Sequence, residues 1–150
     1  MDELQNLVDR VKQYRNGYGM SVPEPVDESA ITEFKGKFQE VFEVAPDSTL
    51  IEFYRMVDGL EHNGVRVYAS KDRTSGQVEH GIYQRNELWH NEEDLTGCML
   101  FGESDLDLFA FDKENEEYIV LFKSGGVIET FSSCEEMLVY VMKLMLDEVG

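Results

Sequence analysis

The sequence predicts an α+β fold in which an antiparallel β-meander sheet packs with N-terminal helices and one C-terminal helix. Apolar residues have helical spacing in the N-terminal part and at the C-terminal end, whereas the part between them contains short apolar runs. Turn-rich connections of a few residues separate these runs, which favours antiparallel pairing because parallel strands need a longer crossover. No repeat, low-complexity tract or linker interrupts the 150 residues, so we expect a single domain over 1–150.

Three helices are expected before the sheet. The first ends near Gly17, and the second begins after a cap at Asp27 or Ser29. Gly36 should make the middle of the second helix irregular. The third helix runs from about Asp47. The residues expected to face inward are, in chain order, Leu4, Leu7, Val8, Val11 and Tyr14, then Ile31, Phe34, Phe38, Val41 and Phe42, then Leu50, Phe53, Tyr54 and Val57.

The predicted sheet has one early strand and four later strands. Residues 65–69 alternate in polarity, as is typical of a half-buried strand. Residues 70–97 are polar and contain several glycines, so we expect them to be mostly irregular. The later strands are predicted at 98–101, 106–111, 118–122 and 127–131.

The last segment predicts a helix with a clear start. Residues 132–135 match a capping box, in which a Ser oxygen accepts a free backbone N–H and a Glu side chain accepts another. The apolar residues expected on its inner face are Met137, Leu138, Val141, Leu144, Met145 and Val149.

The charge balance restricts the class of partner. The chain has 31 acidic and 13 basic residues, for a formal net charge of −18. Direct binding to nucleic acid or to an anionic membrane is not expected, because both depend on Lys and Arg. A basic protein partner is favoured because opposite charge speeds association. The alternative is that the charge only maintains solubility. In both cases we expect the chain to be a monomer or a weak dimer.

The expected compartment is the cytoplasm. The N-terminal residues lack the basic and apolar regions of a signal peptide, and no apolar run is long enough to span a membrane. Cys98 and Cys134 are not part of a CxxC motif, so reduced thiols are the simplest expectation.

The sequence lacks the known motifs of catalytic and metal-binding sites. We therefore expect no catalytic residues, no metal and no cofactor. His62, His80 and His90 lie far apart, and the run His90-Asn91-Glu92 matches only half of a zinc deaminase signature. The sequence contains no P-loop, no nucleophile elbow and no G-x-G-x-x-G. The acidic residues around 103–112 could hold a divalent cation, but a charged sheet edge is the favoured interpretation.

Three ordered segments resemble the SUKH superfamily, over roughly residues 27–148. The first is APD at 45–47 followed by LIEFYRMVDG at 50–59. The second is LFG at 100–102 followed by DLFAFD at 107–112, and the third is FSSCEEML at 131–138. The resemblance implies an immunity protein that binds a cognate bacterial toxin, with a nuclease that has a basic groove for its substrate as the expected toxin. A fungal branch of the same family implies an alternative, a regulatory or scaffold module for a cellular partner.

The candidate partner-binding residues combine aromatic rings with carboxylates. Most of them lie in the polar stretch 70–97, and the others border the sheet. Trp89 could equally be a core residue beneath this stretch. An enzyme that binds a small molecule or metal remains a third hypothesis, without a motif to support it. The candidates are Tyr83, Glu87, Trp89, Glu92, Glu93, Asp94, Glu103, Asp105 and Asp107.

Overall fold

The computed structural model describes residues 2–148, so Val149 of the predicted final helix lies outside the described residues. Three helices precede the sheet, a short hairpin and a fourth helix interrupt it, and a fifth helix follows it. In chain order the elements are α1 Asp2–Gly17, α2 Glu28–Phe42, α3 Ser48–Met56, β1 Leu60–His62, β2 Val65–Val67, β3 Thr74–Ser75, β4 Val78–Glu79, α4 Ile82–Trp89, the 3₁₀ turn Glu93–Leu95, β5 Cys98–Glu103, β6 Asp107–Asp112, β7 Glu117–Phe122, β8 Val127–Phe131 and α5 Cys134–Met145.

The main sheet confirms the predicted α+β class and its meander. Its strand order is β1-β2-β5-β6-β7-β8, and every neighbouring pair is antiparallel. A bulge lies between Leu100 and Gly102 in β5. Gly102 is required there, because a Cβ atom would overlap with the Arg66 carbonyl oxygen of β2. β2 is shorter than predicted, and β1 pairs beside it.

Side chains at the helix starts fix where the helices begin. Asp27, rather than Ser29, caps α2 and accepts a hydrogen bond from the Ala30 N–H at 2.8 Å. The capping box of α5 lies one residue later than predicted, since Ser133 accepts from the Glu136 N–H at 3.1 Å. The prediction of irregularity around Gly36 was wrong, because α2 is continuous.

Aromatic side chains join the helices on one side of the core. Phe34 of α2 contacts Tyr54 of α3, with ring centroids 5.0 Å apart, and Phe42 stacks on Tyr83 of α4 at 5.8 Å. Two residues predicted to face inward do not do so. Val41 and Tyr14 are each 50 % exposed, because each lies at the edge of its helix's apolar stripe.

Residues 70–97 are not mostly irregular, and the prediction for them was wrong. They form the β3–β4 hairpin, α4 and the 3₁₀ turn. The apolar pattern of α4 is misleading because polar Asn86 is buried whereas Leu88 is 47 % exposed. An eight-residue helix with this arrangement has no clear amphipathic period.

Asn86 attaches α4 to the sheet. Its Nδ2 donates to the carbonyl oxygen of Leu100 at 2.9 Å, and its Oδ1 accepts from the Leu100 N–H at 2.8 Å. β2 pairs with β5 only at Gly102 and Glu103, so Leu100 has no strand partner on that side. The Asn86 side chain takes the place of a strand there.

We expect Asn86→Ala to destabilise the protein by about 3 kcal/mol, because it leaves the buried N–H and C=O of Leu100 without partners. Urea denaturation measures this loss. The matched control is Asn91→Ala at an exposed position just after α4, which should change stability by less than about 0.5 kcal/mol. Equal losses for the two variants would show that Asn86 does not attach the helix.

Candidate functional site

Potential metal ligands do not come together in the part of the chain that the structure describes. Within residues 2–148, no three His, Cys, Asp or Glu side chains come together in a way that could hold a metal ion. Cys98 and Cys134 are buried free thiols, and burial raises the pKa of each. Neither thiol is therefore poised as a thiolate nucleophile.

Four of the candidate residues form an exposed acidic segment, which we define as Glu87, Glu92, Glu93 and Asp94. Glu87 lies on α4, and the other three residues lie in and just before the 3₁₀ turn. None of the ion pairs found within residues 2–148 includes any of the four carboxylates. Their negative charge is therefore directed to solvent.

The acidic segment is fixed at both of its ends. After α4, His90 Nε2 lies 2.7 Å from the carbonyl oxygen of Cys98 at the start of β5. At the 3₁₀ turn, Leu95 is buried in the core. The carboxylates between these two contacts are therefore presented from a defined backbone rather than from a free loop.

Glu103 is not exposed, and this corrects its prediction as a surface residue at the sheet border. Its side chain is 11 % exposed and lies between two cations. Arg85 of α4 pairs with Oε1, and Lys123 Nζ lies 2.9 Å from Oε2. The Tyr68 hydroxyl donates to Oε1 at 2.9 Å. This carboxylate is fully engaged inside the protein and is not free for a partner.

Trp89 covers this group of charges. Its ring centroid lies 5.8 Å from the guanidinium carbon of Arg85 and 5.6 Å from Lys123 Nζ. The half-buried ring also packs against the hydrophobic core. The sequence left open whether Trp89 binds a partner or packs in the core. The structure shows that Trp89 packs against the core. We call Tyr68, Arg85, Trp89, Glu103 and Lys123 the ion cluster.

The ion cluster keeps Glu103 ionised. Burial by itself would raise the pKa of its carboxyl group, but hydrogen bonds from Lys123 and Tyr68 and the charge of Arg85 act in the opposite direction. Their sum holds the pKa of Glu103 below its ordinary value of 4.5. A buried carboxylate with this set of partners favours the folded state at neutral pH.

Tyr83 is also not an exposed anchor, which corrects a second prediction. Only 9 % of the residue is exposed, and its ring lies between Phe34 and Phe42. Lys37 Nζ lies 4.3 Å from the centre of the ring. Because Tyr83 joins α4 to α2, its role is in the core.

The last two candidates lie away from the acidic segment. α4 runs alongside β5 in the opposite direction, with Arg85 at Glu103 and His90 at Cys98. Asp105 follows the far end of β5 and is exposed, about 17 Å of strand away from the 3₁₀ turn. Asp107 is half-buried, and burial raises the pKa of its carboxyl group, partly offset by Lys123. The nine candidates therefore do not form one surface.

Sequence reasoning missed the basic members of the ion cluster. Arg85 and Lys123 lie in polar stretches, where a cation is usually solvated. A signal was present in β5, where Glu103 ends a run of otherwise apolar residues and glycine. A carboxylate at such a position needs a cation from elsewhere in the fold.

Comparisons with known proteins do not assign this chain to a family. No family model, curated protein or solved structure gives a significant match. Each helix within residues 2–148 is too short or too polar to cross a lipid bilayer. A proposed function therefore rests on the geometry and charge of the chain and on the resemblance of the three sequence segments.

We expect Glu103→Gln to destabilise the protein by about 2 kcal/mol at neutral pH, because Arg85 and Lys123 lose their counter-charge in a mostly buried site. Because the folded-state pKa is lowered, the ionised carboxylate stabilises the fold above the unfolded value. This contribution is lost as the pH falls through the folded-state pKa. The difference between the two proteins should therefore shrink below pH 4.5.

Urea denaturation at neutral and acidic pH measures both effects. The control is Glu52→Gln, which removes an exposed carboxylate paired with Arg55 and should cost less than about 0.5 kcal/mol. A pH-independent loss for Glu103→Gln would contradict the role assigned to its charge.

Proposed function

We propose that this chain is a SUKH-type immunity protein that binds a cognate toxin in the cytoplasm and occludes the basic groove of a nuclease domain. The acidic segment is the observation that carries the proposal. It presents exposed carboxylates without ion-pair partners among residues 2–148, in a chain of net charge −18. A nuclease groove is lined by Lys and Arg to bind phosphates, so a row of fixed carboxylates is complementary to it.

The contacts that fix the backbone of the acidic segment favour a role in partner binding over a role in solubility alone. Carboxylates that serve only solubility need no defined positions, whereas a partner gains affinity when the binding groups are ordered in advance. Asn86, His90 and Leu95 hold the backbone that carries the segment. Because this backbone is already ordered, the acidic segment loses less conformational entropy when it binds a partner.

An apolar anchor is available beside the carboxylates. Tyr83 and Trp89 are engaged in the core, but Leu88 is 47 % exposed next to Glu87. Binding energy at interfaces is usually concentrated in a few side chains that fill apolar pockets on the partner. We assign this role to Leu88, with the acidic segment supplying attraction and orientation.

The sequence resemblance supports the same proposal. The three segments that resemble the SUKH superfamily lie in α3, in the β5–β6 pair and at the junction of β8 with α5. These elements build the core and the sheet that carry α4. The α+β architecture is the class of fold that the spacing of apolar residues predicted.

A growth assay tests the proposed function. If a toxin domain is encoded beside this chain, it is expressed from an inducible promoter, with or without this protein. Co-expression should restore growth, and the purified proteins should form a complex. Absence of a neighbouring toxin, or cell death despite co-expression, would contradict the proposal and favour the regulatory or scaffold role.

A charge-reversal variant tests the acidic segment. Changing Glu92, Glu93 and Asp94 to Lys should slow association with the toxin domain about tenfold at low ionic strength, because electrostatic steering is reversed. The difference should shrink as salt is added. Surface plasmon resonance at several salt concentrations measures the association rate.

The matched control has the same change in net charge. Asp2, Asp9 and Glu24 are exposed acidic residues of α1 and of the loop that follows it, and they are changed to Lys together. This control should slow association much less. If both triple variants slow association equally, the overall charge rather than the acidic segment attracts the partner.

A further inference from the structure

A cavity lined by arginines carries positive charge, in contrast to the acidic segment. Its volume is about 170 Å³, and it lies between the end of α1, strands β1 and β2, and the hairpin β3–β4. Three guanidinium groups line it, from Arg15, Arg66 and Arg73, together with the imidazole of His80. Such a concentration is unexpected in a chain that has only 13 basic residues.

One short segment positions all three guanidinium groups. Arg15 donates to the backbone carbonyl oxygen of Glu61. Arg66 Nε donates to the carboxylate of the same residue at 3.1 Å. Arg73 donates to the carbonyl oxygen of Asp58 at 3.3 Å. Most of these bonds go to backbone oxygens, which orient the guanidinium groups but do not neutralise them.

The cavity therefore has an excess of positive charge. Glu61 pairs with Arg66, but within residues 2–148 no carboxylate lies within 4.0 Å of a nitrogen of Arg15 or Arg73. Asp58, whose carboxylate accepts a hydrogen bond from the Ser70 N–H at 2.8 Å, is the second acid of the lining, so three arginines exceed two carboxylates by one charge. Burial lowers the pKa of His80, and the charge of Arg66 lowers it further, partly offset by Glu61.

We propose that this cavity binds a small phosphate-bearing molecule, either inorganic phosphate or a phosphate monoester. Guanidinium groups match the oxygen geometry of phosphate, and three of them can share its charge. The volume accommodates several water molecules of about 30 Å³ each, which is enough for one tetrahedral oxyanion.

The overall charge restricts the ligand to a small molecule. A long polyanion such as RNA would have to lie against the acidic surface of a chain with net charge −18, and repulsion would oppose this. A single phosphate group is small enough to lie inside the cavity, and it therefore avoids contact with the acidic surface. This inference does not rest on the proposed binding of a toxin, and neither proposal requires the other.

Nuclear magnetic resonance titration at constant ionic strength tests the proposal on the full chain. Inorganic phosphate should shift the backbone amide signals of Gly59 and Ala69, which line the cavity, with saturation at millimolar concentration. Adenosine monophosphate in a second titration distinguishes the sources, since tighter binding than that of phosphate assigns the site to a monoester. Acetate should bind more weakly than either.

Arg73→Gln should weaken phosphate binding about tenfold, which is the scale of one hydrogen bond to a charged group. Arg73 is exposed and makes a single side-chain bond to Asp58, so the variant should fold, and its amide spectrum checks this. The control Arg55→Gln removes an exposed arginine that pairs with Glu28 and Glu52, and it should bind phosphate normally. Absence of saturable shifts, equal binding by Arg73→Gln, or acetate binding as tight as phosphate would overturn the proposal.

Discussion

The buried carboxylate of Glu103 is the constraint on which the arrangement of the sheet and α4 depends. Removal of a carboxylate from water is unfavourable unless cations and hydrogen-bond donors replace the water. Here the replacements come from three separate parts of the chain, since Tyr68 follows β2, Arg85 lies on α4 and Lys123 follows β7. The requirement of one charge thus brings together elements that are far apart in sequence and seats Trp89 over them.

The position of α4 then decides what the surface presents. Because Arg85 and Asn86 fix the helix along β5, Glu87 and Leu88 face outward. The chain that follows carries the remaining carboxylates of the acidic segment before Leu95 returns to the core. In a chain with so few cations, two groups of them have structural positions. One group neutralises Glu103, and the other lines the arginine cavity beside β1.

Where the pattern along the chain was regular, the sequence was a reliable guide to the fold. The short apolar runs and the turns from β5 to β8 predicted the antiparallel meander. The helical spacing of apolar residues predicted α1, α2, α3 and α5. The pattern was misleading at α4, where a buried Asn and an exposed Leu invert the usual arrangement. The burial of Glu103 and Tyr83 was also not visible in the pattern, since it depends on partners from other elements.

What the sequence by itself determined is the class of fold, the excess of acidic charge and the absence of familiar catalytic motifs. These properties follow from local periodicity and from composition, which need no knowledge of distant contacts. Only the tertiary structure decided which carboxylates are free, which aromatic rings are in the core and where the arginines meet. The physical reason is that burial and ion pairing arise between residues separated in sequence, so neither is visible in the pattern along the chain.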